Sequence, residues 1–378
     1  MKNTVNGFVL LFTLFIALSC NSTDRKEQTL PDYELIPEIS LPEGFKIHKY
    51  AGNVENARSM VLGDKGTVFV GSRGAGKVYA VVDENQDYIA DKILTIASDL
   101  NQPNGVAFLN GDLYVAEVDK IWKYENIEDH LESPQTPVLI SDAFPSDLHH
   151  GWKYIAFGPD GKLYVPVGAP CNICLSDNEI YASITRMDPD GSNLEIFASG
   201  VRNTVGFDWN PQDNVLWFTD NGRDMMGDDL PPDELNRAPQ TGMHFGYPFC
   251  HASGIADTEF GTQRNCNEFT WPVQDLGPHV AALGMLFYTG DMFPAEYKNN
   301  ILIAEHGSWN RSTPIGYRLT QVKLSDNKSV SYGIFAEGWL KSTGPWGRPV
   351  DIIQMPNGSI LVSDDFAGAI YNITYSKE

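Results

Sequence analysis

Positive charge is scarce in this 378-residue sequence. Lys and Arg number 27 against 49 Asp plus Glu, for a net charge of −22. A nucleic-acid binder needs a basic surface to neutralise phosphates, so no nucleic-acid partner is expected. Cysteine is scarce too, at 5 residues. The only Cys-x-x-Cys, Cys171 to Cys174, is followed by Leu175 and not by the His that a covalent c-type haem requires. Long apolar runs are also lacking. The one run, Phe8 to Leu18, follows a single Lys, is short for a membrane span and has the form of a secretory signal.

Ser19-Cys20 after that run resembles a bacterial lipoprotein signal, although Ala17 and not Leu18 stands in the usual Leu place. The expectation is a signal over 1–20 with Cys20 lipidated, a polar tether over 21–39, and an exported protein. A lipid anchor would then hold it to a membrane, in the periplasm or on the cell surface. Four cysteines remain after Cys20, and an even number in an exported chain favours disulfides. Local pairing, Cys171 with Cys174 and Cys250 with Cys266, is expected. A zinc site of all four is the rival reading.

What the sequence has in quantity is turn formers, 34 Gly and 23 Pro, and aromatics. One pattern recurs: an apolar strand, a turn with Gly, Asp or Asn, then a second strand of alternating β-formers. It stands at 57–81, 103–124, 151–169, 204–222, 284–307 and 350–375. The second-strand anchors are Phe69, Tyr114, Tyr164, Trp217, Leu302 and Leu361, between 45 and 59 residues apart apart from one gap of 85. Units of this length built of short strands predict an all-β, six-bladed β-propeller over 40–378. The strand at 45–52 is expected to join the last blade and close the ring. The gap of 85 holds a long insertion, 227–269, expected to be pinned by the Cys250–Cys266 pair and to be functional.

In a propeller, the residues just before each first strand converge on one end of the axis. Those positions hold Arg58, Asn104, His150, Arg202-Asn203 and Arg348. Four blades placing a cation or a histidine at one structural place, in so acidic a chain, imply an anionic ligand on the axis.

Four stretches, "HHGWKYIAFGPDGKLYVPVGAPCN", "GVRNTVGFDWNP", "AEHGSWNRSTPIGYR" and "GRPVDII", together resemble the glucose/sorbosone dehydrogenase family. Its members are secreted six-bladed propellers that use pyrroloquinoline quinone (PQQ). The branch that this chain is similar to includes sorbosone dehydrogenase-like proteins and PQQ-dependent pyranose dehydrogenases. The resemblance runs from about residue 40 to the end. It implies PQQ and calcium as cofactors, an aldose or sorbosone-type sugar as substrate, and an external electron acceptor, a cytochrome or a membrane quinone pathway. It makes His150 the general base and His149 an orienting or solvent residue, with Asp147 a candidate to orient one imidazole. Arg202-Asn203 then contact the quinone, Arg348 pairs with a PQQ carboxylate, and the backbone carbonyls of Gly222-Arg223 hold calcium. A second family Arg is Val350 here, and a family Lys has no match, so His306 or Arg311 stands in for it. Trp309 is a candidate to stack on a flat ligand, and Arg58 and Asn104 are further cofactor contacts.

The residue types suit that chemistry. The Arg fork matches carboxylates, a divalent cation polarises a carbonyl, and a neutral His takes the hydroxyl proton as hydride leaves. Carbonyl ligands point to a hard cation such as calcium. Two acidic stretches are secondary candidates: 83–91, spaced as a calcium loop but with Tyr88 at the Gly place, and 227–234 near the calcium turn. The rival functions are a metal-dependent sugar lactonase-like propeller, which needs acidic side chains on the axis, and a non-catalytic PQQ- or sugar-binding propeller.

Overall fold

In five blades the second strand is buried along its whole length: Val68–Ser72, Leu163–Val167, Leu216–Asp220, Ile301–Glu305 and Ile360–Asp364. Both faces of such a strand need apolar cover, and only a neighbouring blade on each side supplies it. This is why alternating Val, Ile, Leu and aromatic residues mark the second strands in the sequence. The computed structural model describes residues 33–377 and Met1. The expected signal, Cys20 and residues 21–32 lie outside the described residues.

Six sheets, each with four antiparallel strands, form the blades of a β-propeller, and the sheet of blade 3 adds Met243–His244 paired parallel to Glu195–Ser199. Blade 1 runs Ala57–Leu62, Val68–Ser72, Val78–Val82 and Lys92–Ala97. Blade 2 runs Gly105–Leu109, Asp112–Ala116, Ile121–Tyr124 and Val138–Ser141. Blade 3 runs Ala156–Phe157, Leu163–Val167, Ser183–Met187 and Glu195–Ser199. Blade 4 runs Phe207–Trp209, Leu216–Asp220, Pro232–Ala238 and Gln274–Pro278. Blade 5 runs Ala282–Phe287, Ile301–Glu305, Arg318–Ser325 and Lys328–Glu337. Blade 6 takes Pro349–Gln354, Ile360–Asp364 and Ala369–Tyr375 from the end of the chain. Its fourth strand is Phe45–Ala51, paired to Ala369–Tyr375, so the start of the body closes the ring as expected.

Each main core cluster mixes two adjacent blades. Phe69 and Val78 of blade 1 pack with Leu113 and Val115 of blade 2, and Met60 of blade 1 packs with Leu361 of blade 6. Each fully buried Leu or Phe contributes about 1.5–3 kcal/mol over its exposed state. Near the axis, buried carboxylates add a polar latch. Asp351 of blade 6 accepts from Met60 N of blade 1, and Asp208 of blade 4 accepts from Phe287 N of blade 5, both at 2.8 Å. Burial raises Asp351 to about 7 and Asp208 to about 6.

Both disulfides form as expected, Cys171–Cys174 and Cys250–Cys266, which removes the four-cysteine zinc reading. Two boundaries differ from the sequence reading. Residues 33–39, placed with the tether, lie on the propeller: Leu35 bridges to His48 and Ile39 is buried. Within the stretch read as insertion, Pro232–Ala238 is the third strand of blade 4. The loop 83–91 is the tip of a blade 1 hairpin. Its Asp83, Asn85, Asp87 and Asp91 side chains bond the loop's own backbone N–H groups.

Candidate functional site

The first two strands of every blade are antiparallel. The loop leading into the first strand and the turn after the second therefore emerge at the same end of the blade. From four blades and more these loops enclose a cavity of about 530 Å³ on the axis. Of the residues chosen from the sequence, Arg58, His150, Arg202, Asn203, Gly222, His306, Trp309 and Arg348 line it.

His150 sits in left-handed backbone, φ 51°, at the lead-in to blade 3. Its ring is held from behind: Nδ1 lies 2.9 Å from the Ala169 carbonyl. A carbonyl only accepts, so Nδ1 carries the proton and Nε2 keeps its lone pair. No hydrogen bond among the described residues takes up Nε2. Burial, then the nearby Arg202 and His149, lower the His150 pKa well below the ordinary histidine value. The ring is a neutral base at neutral pH. Gly168 makes this placement possible, because a Cβ there would lie 2.5 Å from the His150 Cβ and 2.8 Å from its carbonyl oxygen. Asp147 does not orient either imidazole; its carboxylate takes the Tyr181 hydroxyl.

Arg202 is more constrained than the sequence implied. All five of its N–H donors meet protein oxygens. Nε donates to Asn172 O at 2.8 Å; Nη1 to Asn221 O and Gly222 O at 3.1 and 2.9 Å; Nη2 to Asn172 Oδ1 and Asp224 Oδ2 at 2.9 and 3.3 Å. Arg202 therefore supplies fixed positive charge to the cavity and has no donor to spare. Asn203 beside it has its backbone N–H on Asp220 at 2.7 Å, while no hydrogen bond among the described residues engages its side-chain amide. Asp220, raised to about 6 by burial, also accepts from Arg202 N and so sets the whole lead-in to blade 4.

On the opposite wall, Asp365 bridges Arg58 at 2.9 Å and His306 Nε2 at 2.8 Å. Burial opposes ionisation of Asp365, but His306 and Arg58 hold it well below the usual carboxylate range. Burial lowers His306 to about 4. Arg348 donates to the carbonyls of His306 and Gly307 at 3.1 and 2.7 Å and has no carboxylate within ion-pair distance among the described residues. Trp309 is 68% exposed at the rim.

Three chosen residues do not reach the cavity. Asn104 is fully buried behind it, accepting from Arg58 Nε at 2.7 Å and donating to Lys153 O, so it positions Arg58. The Arg311 guanidinium turns to Asp228 and Asp229. Arg223, chosen for its backbone carbonyl, is not among the lining residues, and its side chain turns into the insertion, pairing with Asp257 at 2.7 Å and Glu259 at 3.1 Å. Among the described residues no three His, Cys, Asp or Glu side chains are grouped to hold a metal ion. In the acidic stretch 227–234, Asp228 caps Ser312, and Asp233 lines the cavity wall with bonds from Gly222 N and Ala282 N.

Sequence reasoning missed Arg73, Trp152, Asp224, His279 and Asn310, all lining residues. Arg73 lies 3.7 Å over the Trp152 ring, and no carboxylate among the described residues pairs with it. Burial, then Arg58, lower its pKa to about 10. A positional signal existed: Arg73 follows Ser72, the last residue of a second strand, and that position is as axial as the residue before a first strand.

A family model described as a domain of unknown function, DUF7133, matches residues 33–375. An uncharacterized protein of Borreliella burgdorferi is 34% identical over the whole of both chains. The PQQ-dependent pyranose dehydrogenase of Coprinopsis cinerea is 22% identical over 89% of this chain, which spans 54% of that relative's length. The solved PQQ domain of the Coprinopsis cinerea enzyme, in its holo form, has a TM-score of 0.73 at 18% identity and covers 91% of this chain and 98% of that one. A calcium structure of a Trichoderma reesei enzyme of carbohydrate-active family AA12 has a TM-score of 0.78 at 19% identity and covers 92% of this chain and 100% of that one. The structural neighbours thus share the six-bladed propeller and include PQQ-dependent sugar dehydrogenases, the group that the sequence motifs resemble.

Proposed function

This chain belongs to the DUF7133 family, and we propose that it is a PQQ-dependent oxidoreductase that oxidises an aldose or a related, sorbosone-type sugar. One observation carries the reading. Two guanidiniums without a carboxylate partner, Arg73 and Arg348, face one cavity with a neutral histidine whose Nε2 is free. In a protein of net charge −22, such uncompensated cations call for an anionic ligand. PQQ fits by its chemistry: three carboxylates for the guanidinium forks, and a flat ring system for a cavity walled by Trp152 and Trp309. The likeness to PQQ-dependent sugar dehydrogenases supports the same choice.

When bound, PQQ supplies a two-electron quinone acceptor for hydride. The chain's own residues do the rest. His150 Nε2 accepts the hydroxyl proton of the sugar while its carbon loses hydride, and Ala169 O stabilises the imidazolium through Nδ1–H. Arg202 stays fully bonded and contributes positive potential beside that base. Calcium is part of the proposal on the nature of the donors. The Gly222 wall offers oxygens of the kind that suit a hard cation, its carbonyl and the Asp224 carboxylate, beside the Arg202 guanidinium. The Gly222 carbonyl already accepts from Arg202, so a cation there shares that oxygen. The lactonase-like alternative is disfavoured by the cationic walls. Export and lipid anchoring through Cys20 complete the reading, and palmitate labelling of the wild type against Cys20→Ala tests them.

Reconstitution tests the function. PQQ with and without calcium is added to the purified protein, and its spectrum and dye reduction are followed with a panel of aldoses. A bound-cofactor spectrum with sugar-dependent dye reduction is expected. Neither spectrum nor turnover, at any calcium level, removes the reading. His150→Ala is expected to keep the spectrum and lose turnover; loss of cofactor binding instead contradicts its role as base.

A further inference from the structure

The second and third strands of blade 3 are joined by residues 168–182, which form no strand. Among the described residues, 170–177 make no backbone–backbone hydrogen bond. What closes this stretch on itself is the Cys171–Cys174 disulfide.

The loop nevertheless holds the working parts of the site. The Ala169 carbonyl accepts from His150 Nδ1 at 2.9 Å, and the Ala169 N–H donates to the Arg202 carbonyl at 2.9 Å. Asn172, inside the disulfide loop, accepts from Arg202 Nε and Nη2 at 2.8 and 2.9 Å. Its side chain also exchanges two bonds with the Asp224 backbone, at 3.1 and 2.8 Å. These bonds close a cycle: His150 to Ala169, Ala169 to Arg202, Arg202 to Asn172, and Asn172 back to Ala169 along the chain. A shift of the disulfide loop therefore moves both the acceptor that fixes the His150 tautomer and the guanidinium beside that ring.

The loop borders a second cavity. His150 and Arg202, which it holds, line the axial cavity. Cys174 lines another, of about 460 Å³, with Tyr181, His244, Tyr247 and Phe249, and the two cavities share no lining residue. There the Tyr247 hydroxyl accepts from Cys174 N at 3.0 Å and lies 3.5 Å from Cys171 Sγ. Both cysteines are half-buried. A small thiol can reach the disulfide from this side without entering the axial cavity.

We propose that the Cys171–Cys174 disulfide is a positioning element for the His150 base, and that opening it with a small dithiol slows turnover reversibly while the cofactor site stays intact. The proposal rests on the sugar dehydrogenase reading above. The exchange balances: the dithiol gives up two electrons and two protons and closes to its own disulfide, while the Cys171–Cys174 bond breaks and two thiols form. Cofactor affinity is kept because the two guanidiniums offered to PQQ bond elsewhere, Arg73 to Gln102 and Arg348 to the His306 and Gly307 carbonyls.

The PQQ-loaded protein is treated with dithiothreitol, open cysteines are mapped by alkylation and mass spectrometry, and turnover is read per bound cofactor. Opening of the 171–174 pair is expected to lower kcat about a hundredfold, as for a displacement of about 1 Å, with PQQ affinity within about twofold and activity restored on reoxidation. Cys171→Ser/Cys174→Ser, which keeps the Cys250–Cys266 bridge, is expected to be as slow and to ignore the dithiol. A second readout needs neither cofactor nor turnover. With isotope-labelled histidines, the NMR signal of the His150 Nδ1–H, assigned through His150→Ala, is expected to exchange slowly in the oxidised protein and to vanish in the reduced protein and the double variant. Full turnover with the 171–174 pair open, loss of cofactor binding in step with turnover, or an unchanged Nδ1–H signal overturns the proposal. If the wild type turns over no sugar, the dehydrogenase reading fails alone, and the Nδ1–H signal decides the positioning role.

Discussion

Gly168→Ala isolates the placement of His150 without touching any functional group. The backbone of Gly168 lies outside the left-handed region, so alanine is strained there only by contact. Its Cβ would stand 2.5 Å from the His150 Cβ and 2.8 Å from the His150 carbonyl oxygen. Carbon atoms in contact prefer about 3.5–4.0 Å, so the His150 loop must retreat by about 1 Å. Overpacking of this kind costs about 1–3 kcal/mol of stability. A displacement of about 1 Å of a reacting group costs about a hundredfold in rate. The control is Gly333→Ala, where an added Cβ meets nothing within 4 Å. The assay is dye-coupled turnover of the PQQ-loaded protein, normalised to bound cofactor, beside a melting curve. Gly168→Ala is expected to bind cofactor, melt a few degrees lower and turn over about a hundredfold more slowly, with Gly333→Ala unchanged. Wild-type turnover in Gly168→Ala would show that His150 is not the group whose position governs the reaction.

Three further outcomes are expected. Because burial holds the His150 pKa down, the native state resists a proton that the unfolded chain accepts near pH of about 6.5; this site's contribution to stability is present above that pH and is lost below it. Turnover should accordingly stay level as pH falls past about 6.5 and drop only at lower pH, and a profile centred near 6.5 contradicts a buried neutral base. Arg73→Met and Arg348→Met each remove a guanidinium without a carboxylate partner, so each should weaken PQQ binding by about 1.5–3 kcal/mol, roughly ten- to a hundredfold, in a fluorescence titration. Asn172→Ala leaves Arg202 Nη2 without its Asn172 Oδ1 partner and breaks two bonds to the Asp224 backbone; a loss of about 1–3 kcal/mol by denaturant unfolding is expected, and an unchanged midpoint refutes its bracing role.

The blade count was legible because a second strand buried on both faces opens on a run of apolar residues, and the turns between strands use the Gly, Pro, Asn and Asp that sharp turns need. The pairing of Cys250 with Cys266 followed from proximity along the chain. His150 was legible from its place just before a first strand. The same rule failed for Asn104, whose amide is buried against Arg58, and for Arg311, which the Asp228 carbonyl and the Asp229 carboxylate draw away. Side-chain direction in a loop depends on neighbours that the local sequence does not contain.

The sequence by itself determined the local features: strand alternation, turn chemistry, six repeated units and one histidine at an axial position. Tertiary structure alone decided how those features combine at the site. Arg58 meets Asp365 across 307 residues because the ring closes blade 1 against blade 6. Arg202 finds its five acceptors on loops 19 to 30 residues away in either direction, with the 171–174 disulfide hairpin supplying two of them. Arg73 and Arg348 come to share a cavity, neither with a carboxylate at ion-pair distance among the described residues, only once six blades bring their loop ends to one axis. A propeller makes its site from ends that are distant in the chain, so the chemistry of that site is a property of closure.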